Sequence, residues 1–341
     1  MLKIGSLSLK SRLILAPMAG ISDLPFRMLN RKFGAELAFV EMLNCRSLSH
    51  KGRRTQEMLA TNSKDRPLGI QLLGCEPKFI LKAMDVLRQH SFDILDFNAA
   101  CPAKKVVRRG EGASLLKEPK KLRSLLKIVV ENSGVPVTVK IRSGWDKDSI
   151  NARDVALAAE EAGISGLFIH GRTKLQGYSG DVDYQIIRRV KKALSIPVIA
   201  SGDILSAQLI QKMFAETDCD AVAVARGTLG NPWIFKEYER FLNNKKLTEY
   251  PEINEIVVTM AEHLNLCIGF YGEKVGVMKF RKFFSWYTKG FRKVRCLREE
   301  SSRAKTKKEM INLIERCRDT VLQPTLKLST LSCRARKRYI F

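Results

Sequence analysis

Eight short β-rich runs recur along the first two thirds of the chain, with amphipathic segments between them, and this alternation restricts the fold more than anything else. The runs are Leu13–Met18, Leu37–Met42, Leu68–Leu73, Ile94–Asn98, Val135–Ile141, Gly166–His170, Pro197–Ala200 and Ala221–Ala225. The intervening segments include Pro77–His90, Pro119–Asn132, Ala152–Ala162 and Tyr184–Ala193. Several runs follow Gly or Pro, as loops leading from helix to strand prefer. Ala221-Val222-Ala223-Val224-Ala225 is apolar throughout, the pattern of a parallel strand covered on both faces. Eight such units predict an α/β fold of the (β/α)8 TIM-barrel type, with a doubly wound open sheet as the alternative. After Trp233-Ile234-Phe235 the β-rich runs stop, and helical periodicity fills Glu255–Tyr271, Val275–Lys289 and Ser302–Val321. The expected division is a catalytic barrel over 1–243, a smaller all-helical domain over 244–326, and a basic flexible tail over 327–341. Asn243–Pro251 reads as the linker.

In a barrel, chemistry sits at the C-terminal ends of the strands. Those positions hold Pro17-Met18-Ala19, Glu41, Gln71, Asn98 with Cys101, Lys140 with Arg142, His170 with Arg172, Ser201-Gly202-Asp203 and Arg226-Gly227. The Ile94–Asn98 run delivers an amide, a thiol and the lysines Lys104 and Lys105 into one loop, Asn98-Ala99-Ala100-Cys101-Pro102-Ala103-Lys104-Lys105. Such a set suits a flat polar heterocycle carried on a polyanion. Taken alone, the loop reads more simply as a buried free Cys at a strand end, since free Cys is among the most buried residue types. Lys140 shifts the balance, because a lysine after an apolar run is costly unless an anionic or electron-rich group meets it. Ser201-Gly202-Asp203 and Arg226-Gly227 end the last two strands, where barrels bind phosphate. A phosphate beside Gln71 and Lys140 suggests flavin mononucleotide (FMN), with the amide on the pyrimidine edge and the lysine stabilising the anionic reduced ring. No G-x-G-x-x-G follows the first strand and no P-loop motif occurs.

The formal net charge of +25 points to a polyanionic partner. From Tyr271 to Phe341 there are 20 Lys/Arg against 6 Asp/Glu, a net +14. An acidic membrane is the other surface such charge suits, but no amphipathic anchor and no run of 18 apolar residues is evident. Nucleic acid is therefore the expected partner. The eight cysteines form no C-x-x-C pair and the four histidines do not cluster with them, so no metal site is expected. Met1-Leu2-Lys3-Ile4-Gly5 lacks a signal-peptide core, and the chain reads as cytoplasmic with reduced thiols.

Several motifs together resemble a known family. Ala16-Pro17-Met18-Ala19-Gly20-Ile21-Ser22-Asp23, the N-x-x-C-P-x-x-K run from Asn98 to Lys104, Lys140-Ile141-Arg142-Ser143-Gly144-Trp145, Ile169-His170-Gly171-Arg172-Thr173 and Gly230-Asn231-Pro232-Trp233-Ile234-Phe235 are similar to the tRNA-dihydrouridine synthases. The likeness covers about residues 4 to 325 and favours the bacterial B-type branch, whose helical tRNA-binding domain Arg281–Gly290 resembles. The resemblance implies a barrel holding FMN, NADPH (or NADH) as electron donor, and tRNA as substrate, with a monomer the default. By position, FMN would contact Pro17, Met18, Ala19, Gln71, Lys140, His170, Ser201, Gly202, Asp203, Ala225 and Arg226. The implied reaction reduces the C5–C6 double bond of one uridine, with hydride from reduced FMN and a proton from Cys101. Asn98 and Arg142 would grip the uracil edge, and Lys104, Arg172, Arg281 and Lys282 would serve substrate or tRNA binding. Three residues depart from the family pattern: Ala100 and Ala225 stand where Gly is usual, and Ser201 where Asn is usual. Two other readings compete, a small-molecule flavoenzyme of the dihydropyrimidine or dihydroorotate type and a non-catalytic RNA-binding protein. The basic C-terminal region argues against the first, and the set Cys101, Lys140 and His170 against the second.

Overall fold

The computed structural model describes residues 1–50, 52–244 and 251–322. Among them, contacts divide the chain into two compact units. One comprises Met1–Gly227 with Ile234–Tyr238, and the other Thr228–Trp233 with the chain from Glu239 onward.

The first unit opens with a hairpin, β1 (Leu2–Ile4) and β2 (Leu7–Leu9), turned by Gly5-Ser6. The strands that follow are β3 (Leu13–Leu15), β4 (Leu37–Phe39), β5 (Leu43–Asn44), β6 (Leu68–Leu73), β7 (Ile94–Asn98), β8 (Val137–Arg142), β9 (Gly166–His170), β10 (Val198–Ser201) and β11 (Ala221–Val224). All pair in parallel in the order β4-β3-β11-β10-β9-β8-β7-β6-β5, and β4 also pairs with β6. That last pairing closes an eight-stranded barrel, with β5 a short continuation of the β4 path alongside β6. The open-sheet alternative is thereby excluded. Helices such as Pro77–Leu87, Pro119–Glu131, Ala152–Glu160, Tyr184–Ala193 and Ala207–Thr217 follow the strands, each burying one apolar face.

The sequence pattern does not announce the hairpin, because three-residue strands carry too little periodicity to register. Its Leu2, Ile4 and Leu9 are buried with Ile14, Leu37, Phe39, Ile94, Phe168, Ile199 and Ala221 in one cluster. Other differences lie at strand ends. The first barrel strand stops at Leu15 rather than Met18, since Pro17 has no N–H and the Met18 N–H is taken by Ser22 Oγ at 2.9 Å. The expected strand Leu37–Met42 breaks after Phe39 and resumes at Leu43.

In the second unit, helices run over Ile253–Tyr271, Glu273–Tyr287, Arg295–Ser301 and Lys307–Leu322. The expected helix Ser302–Val321 is found over Lys307–Leu322, starting five residues later, and Arg295–Ser301 is a helix that the sequence pattern does not announce. A new N-terminus forms because Thr306 and Glu309 make a reciprocal cap. Thr306 Oγ1 accepts from Glu309 N at 3.3 Å, and Glu309 Oε2 accepts from Lys305 N at 2.6 Å and Thr306 N at 3.3 Å. Phe280, Phe283, Phe284 and Tyr287 are buried at helical spacing. Most of the expected linker and all of the expected tail over 327–341 lie outside the described residues.

Candidate active site

The C-terminal end of the barrel is organised by strand register. Gln71, Asp96 and Thr138 occupy one row across β6, β7 and β8. Asn98 is level with Lys140, and Arg142, His170 and Ser201 form the outermost row. Residues two apart on one strand share a face, so Asp96 and Asn98 point the same way, as do Lys140 and Arg142.

The side chains of the inner rows bond to one another. Thr138 Oγ1 donates to Asp96 Oδ1 at 2.7 Å, and Gln71 Nε2 donates to Asp96 Oδ2 at 2.7 Å. Asn98 Nδ2 donates to Gln71 Oε1 at 2.8 Å and approaches Met42 Sδ at 3.2 Å. Asn98 Oδ1 then accepts from Ala100 N at 3.0 Å and Cys101 N at 2.9 Å. The half-buried Cys101 is therefore set by an amide three residues upstream. Gly112, at φ 59°, closes the other side, where an added Cβ would lie 2.8 Å from the Cys101 carbonyl oxygen. The Ala113 N–H donates to that same oxygen at 3.1 Å. Ala100, which departs from the family's glycine, is buried, and its N–H still reaches Asn98.

Lys140 Nζ donates to Ser201 Oγ at 3.1 Å, and Ser201 passes its own hydrogen to the Ile169 carbonyl at 3.0 Å. The Ser201 departure thus supplies an acceptor for the lysine. Burial brings the Lys140 ammonium down to about 8; Arg142 pushes the same way and Asp96 opposes. Burial raises Asp96 to about 6 against hydrogen bonds from Thr138 and Gln71 and the charge of Lys140. His170 is held well below its ordinary value by burial and by Arg142, Lys140, Arg172 and Arg226. Its ring is neutral, and its buried Nε2 has no hydrogen-bond partner among the described residues.

The two arginines of the outer rim are anchored largely by backbone carbonyls. Arg142 is buried, with Nε on the Ala100 carbonyl at 2.8 Å and Nη1 on the carbonyls of Thr173 (3.0 Å) and Gly177 (2.8 Å). Arg172 is also buried and grips Asp203 with both terminal nitrogens, while Nε and Nη2 reach the Gly180 carbonyl. Both guanidiniums tie loops together. Asp203, at φ 49°, also accepts from Arg226 Nη2 at 2.5 Å. Two cations on one carboxylate leave that corner net positive. Gly202, at φ 126°, has Val182 Cγ2 at 2.9 Å and His170 Cδ2 at 3.1 Å from a hypothetical Cβ, so no side chain fits there. Pro17 and Met18 are half-buried, Ala19 is exposed, and Glu41 fixes their loop by accepting from the Gly20 N–H. Exposed Lys104 begins the short helix Lys104–Val107.

Arg281, expected to face tRNA, donates from Nε and Nη2 to the Ala304 carbonyl at 2.9 and 2.6 Å, and so ties two helical segments of its unit. Lys282 is half-buried, with Nζ 5.0 Å from the Phe283 ring centroid. Asp96 belongs to none of the site residues that the sequence points to. Its signal was a carboxylate inside an otherwise apolar strand, two residues before Asn98 and on the same face.

These residues fit FMN. The orphaned His170 Nε2, an ammonium of depressed pKa with one protein acceptor, and a net-positive corner at Gly202-Asp203 and Arg226 want an anionic, oxygen-rich group. Among the described residues no cluster of His, Cys, Asp and Glu could hold a metal ion, and no helix is long and apolar enough to cross a membrane.

The comparisons agree with this chemistry. The family described as dihydrouridine synthase (Dus) matches residues 14–323. The chain is 37% identical over 314 residues to tRNA-dihydrouridine synthase B of Pasteurella multocida, covering 92% of this chain and 95% of that protein. It is 36% identical to tRNA-dihydrouridine synthase B of Vibrio cholerae, over 94% of this chain and 99% of that one. A histamine dehydrogenase structure from Rhizobium sp. 4-9 superposes with a TM-score of 0.53 at 13% identity, over 78% of this chain and 50% of that one, which speaks for the barrel alone.

Proposed function

The chain belongs to the dihydrouridine synthase family, and from that premise we propose that it reduces the C5–C6 double bond of a uridine in tRNA to give 5,6-dihydrouridine. Bound FMN supplies the hydride that the reaction needs. Gln71, Lys140, His170, Ser201, Gly202, Asp203 and Arg226 would hold it, together with Pro17, Met18, Ala19 and Ala225 at the strand ends. NADPH, or NADH, is the proposed source of electrons. The enzyme is proposed to act as a cytoplasmic monomer, with the basic helical unit contributing to tRNA binding.

The observation that carries this reading is the half-buried Cys101, its backbone N–H held by Asn98 at the rim that also holds Lys140 and the unpartnered His170 Nε2. Hydride arriving at C6 leaves negative charge at C5, and a general acid must quench it. Cys101 is a proton-bearing group whose backbone is held on both sides, its N–H donating to Asn98 Oδ1 and its carbonyl accepting from the Ala113 N–H. Arg142, bonded to the Ala100 carbonyl, holds the same loop from below. The base must leave its stack to reach such a recess, as in other base-modifying enzymes. Lys104 and the surface lysines would then carry backbone phosphates.

Cys101→Ala tests the assignment. FMN content, tRNA affinity and flavin reduction by NADPH should stay near wild type, while dihydrouridine formation falls by roughly 10²–10⁴, the usual cost of losing a general acid. Mass-spectrometric counting of dihydrouridine after a fixed time reads this directly, and product at the wild-type rate sinks the role of the thiol.

A further inference from the structure

We propose that Asp96 is a positioning residue for the reaction: its carboxylate fixes the sense of the hydrogen bonds through Gln71 and Asn98, and thereby the place of the Cys101 backbone. The proposal rests on Cys101 being the proton donor.

The argument is directional. An ionised carboxylate only accepts hydrogen bonds, and a backbone N–H only donates. Asp96 stands at one end of the chain of bonds and the N–H groups of Ala100 and Cys101 at the other. Two side-chain amides lie between, and each could in isolation be turned end for end. With Asp96 as acceptor, Gln71 must present Nε2 to it and Oε1 to Asn98. Asn98 must then present Nδ2 to Gln71, which leaves Oδ1 for the two backbone N–H groups. Every donor meets an acceptor in this one sense. If position 96 held an amide, it could offer N–H to Gln71. Gln71 could then turn, and its own NH₂ would oppose the NH₂ of Asn98.

Burying a carboxylate at 1% exposure is expensive, and a neutral residue of the same shape would avoid that cost. The charge is kept at the one place where an acceptor-only group determines the rest. From the neighbouring strands, Gln71 on β6 and Thr138 and Lys140 on β8 act on it, and Lys140 is the charged one.

The experiment uses full-length, FMN-loaded Asp96→Asn, reduced chemically and mixed with tRNA. The rate of flavin reoxidation should fall on the order of tenfold to a hundredfold, as for loss of a group that orients a reacting side chain. The Kd for tRNA should be unchanged. Hydrogen exchange of the peptide containing Ala100 and Cys101 should accelerate, with the β9 and β10 peptides unaffected. Either reoxidation or loop exchange at its wild-type value overturns the proposal. Cys101→Ala in the same assay separates the two levels: a slow Cys101→Ala beside a fast Asp96→Asn removes only the positioning role, whereas a fast Cys101→Ala removes the assignment beneath it. If Asp96→Asn does not fold, Asp96→Ala removes the acceptor from Gln71 Nε2 without adding a rival donor. It should shift both readouts in the same direction, and wild-type values in that variant overturn the proposal equally.

Discussion

Lys140 joins the two halves of the site, since its amine meets Ser201 while its charge acts on Asp96 and His170. A lysine depressed to about 8 gains most from a neighbour that becomes anionic. Lys140→Met should therefore lower the potential of the bound flavin by about 30 mV or more, since 30 mV in a two-electron couple corresponds to about 1.4 kcal/mol. A redox titration of the purified variant checks this, and an unchanged potential at full FMN occupancy would make the lysine structural. The sequence showed which residues gather here better than what each one does. Asn98, Cys101, Lys140 and His170 were legible because strand ends in a barrel face one recess. The anchorage of Arg142 and Arg172 was not, because most of their partners are the carbonyls of Ala100, Thr173, Gly177 and Gly180, which leave no side-chain trace. Asp96 was hidden for the opposite reason: its meaning depends on which residues of β6 and β8 lie in register with it.

At the level of elements, the continuous apolar strands were the readable ones, and β6, β7 and β9 begin and end where the sequence places them. Helical boundaries were less legible where a cap competes with periodicity, as at Thr306. The helical unit carries two features with measurable consequences. Arg281→Met should lower its stability by about 1–3 kcal/mol, since a carbonyl loses a charged donor. The exposed pair Arg292 and Lys293 makes the contrasting case: reversing their charges should weaken tRNA binding and leave the melting temperature unchanged. Thermal melts with parallel tRNA titrations separate the two classes. His263 adds a pH dependence. It lies among Phe280, Phe283 and Tyr287, and burial, then the charge of Lys282, depress it from 6.5 to about 3. The folded imidazole stays neutral while the unfolded one protonates below about 6.5. Stability present above that pH is therefore lost progressively as pH falls towards 3, by on the order of 4 kcal/mol. Urea unfolding at pH 7 and pH 4 should show the drop, and His263→Leu should flatten it; an equal drop in that variant assigns the effect to other groups.

For the whole molecule the dominant quantity is charge. A net +25 is far more than an enzyme of small molecules needs, and tRNA supplies its counterpart. Binding that rests on phosphate neutralisation releases condensed counterions, so affinity falls as a power of salt concentration. The exponent counts the contacts, at about 0.7 to 0.9 per neutralised phosphate. The same charge works against catalysis if it holds the product too firmly, and salt should then lower affinity and speed release together. Fluorescence anisotropy with labelled tRNA from 50 to about 200 mM salt should give a slope corresponding to several phosphates. Each reversed contact residue, Arg292→Glu or Lys293→Glu, should reduce the slope by roughly one contact. Cys101→Ala and Asp96→Asn should leave it untouched, because they act on the reacting base and not on the backbone. A shallow slope in the wild-type protein would mean that shape and base contacts carry recognition, and that the excess charge serves something other than tRNA.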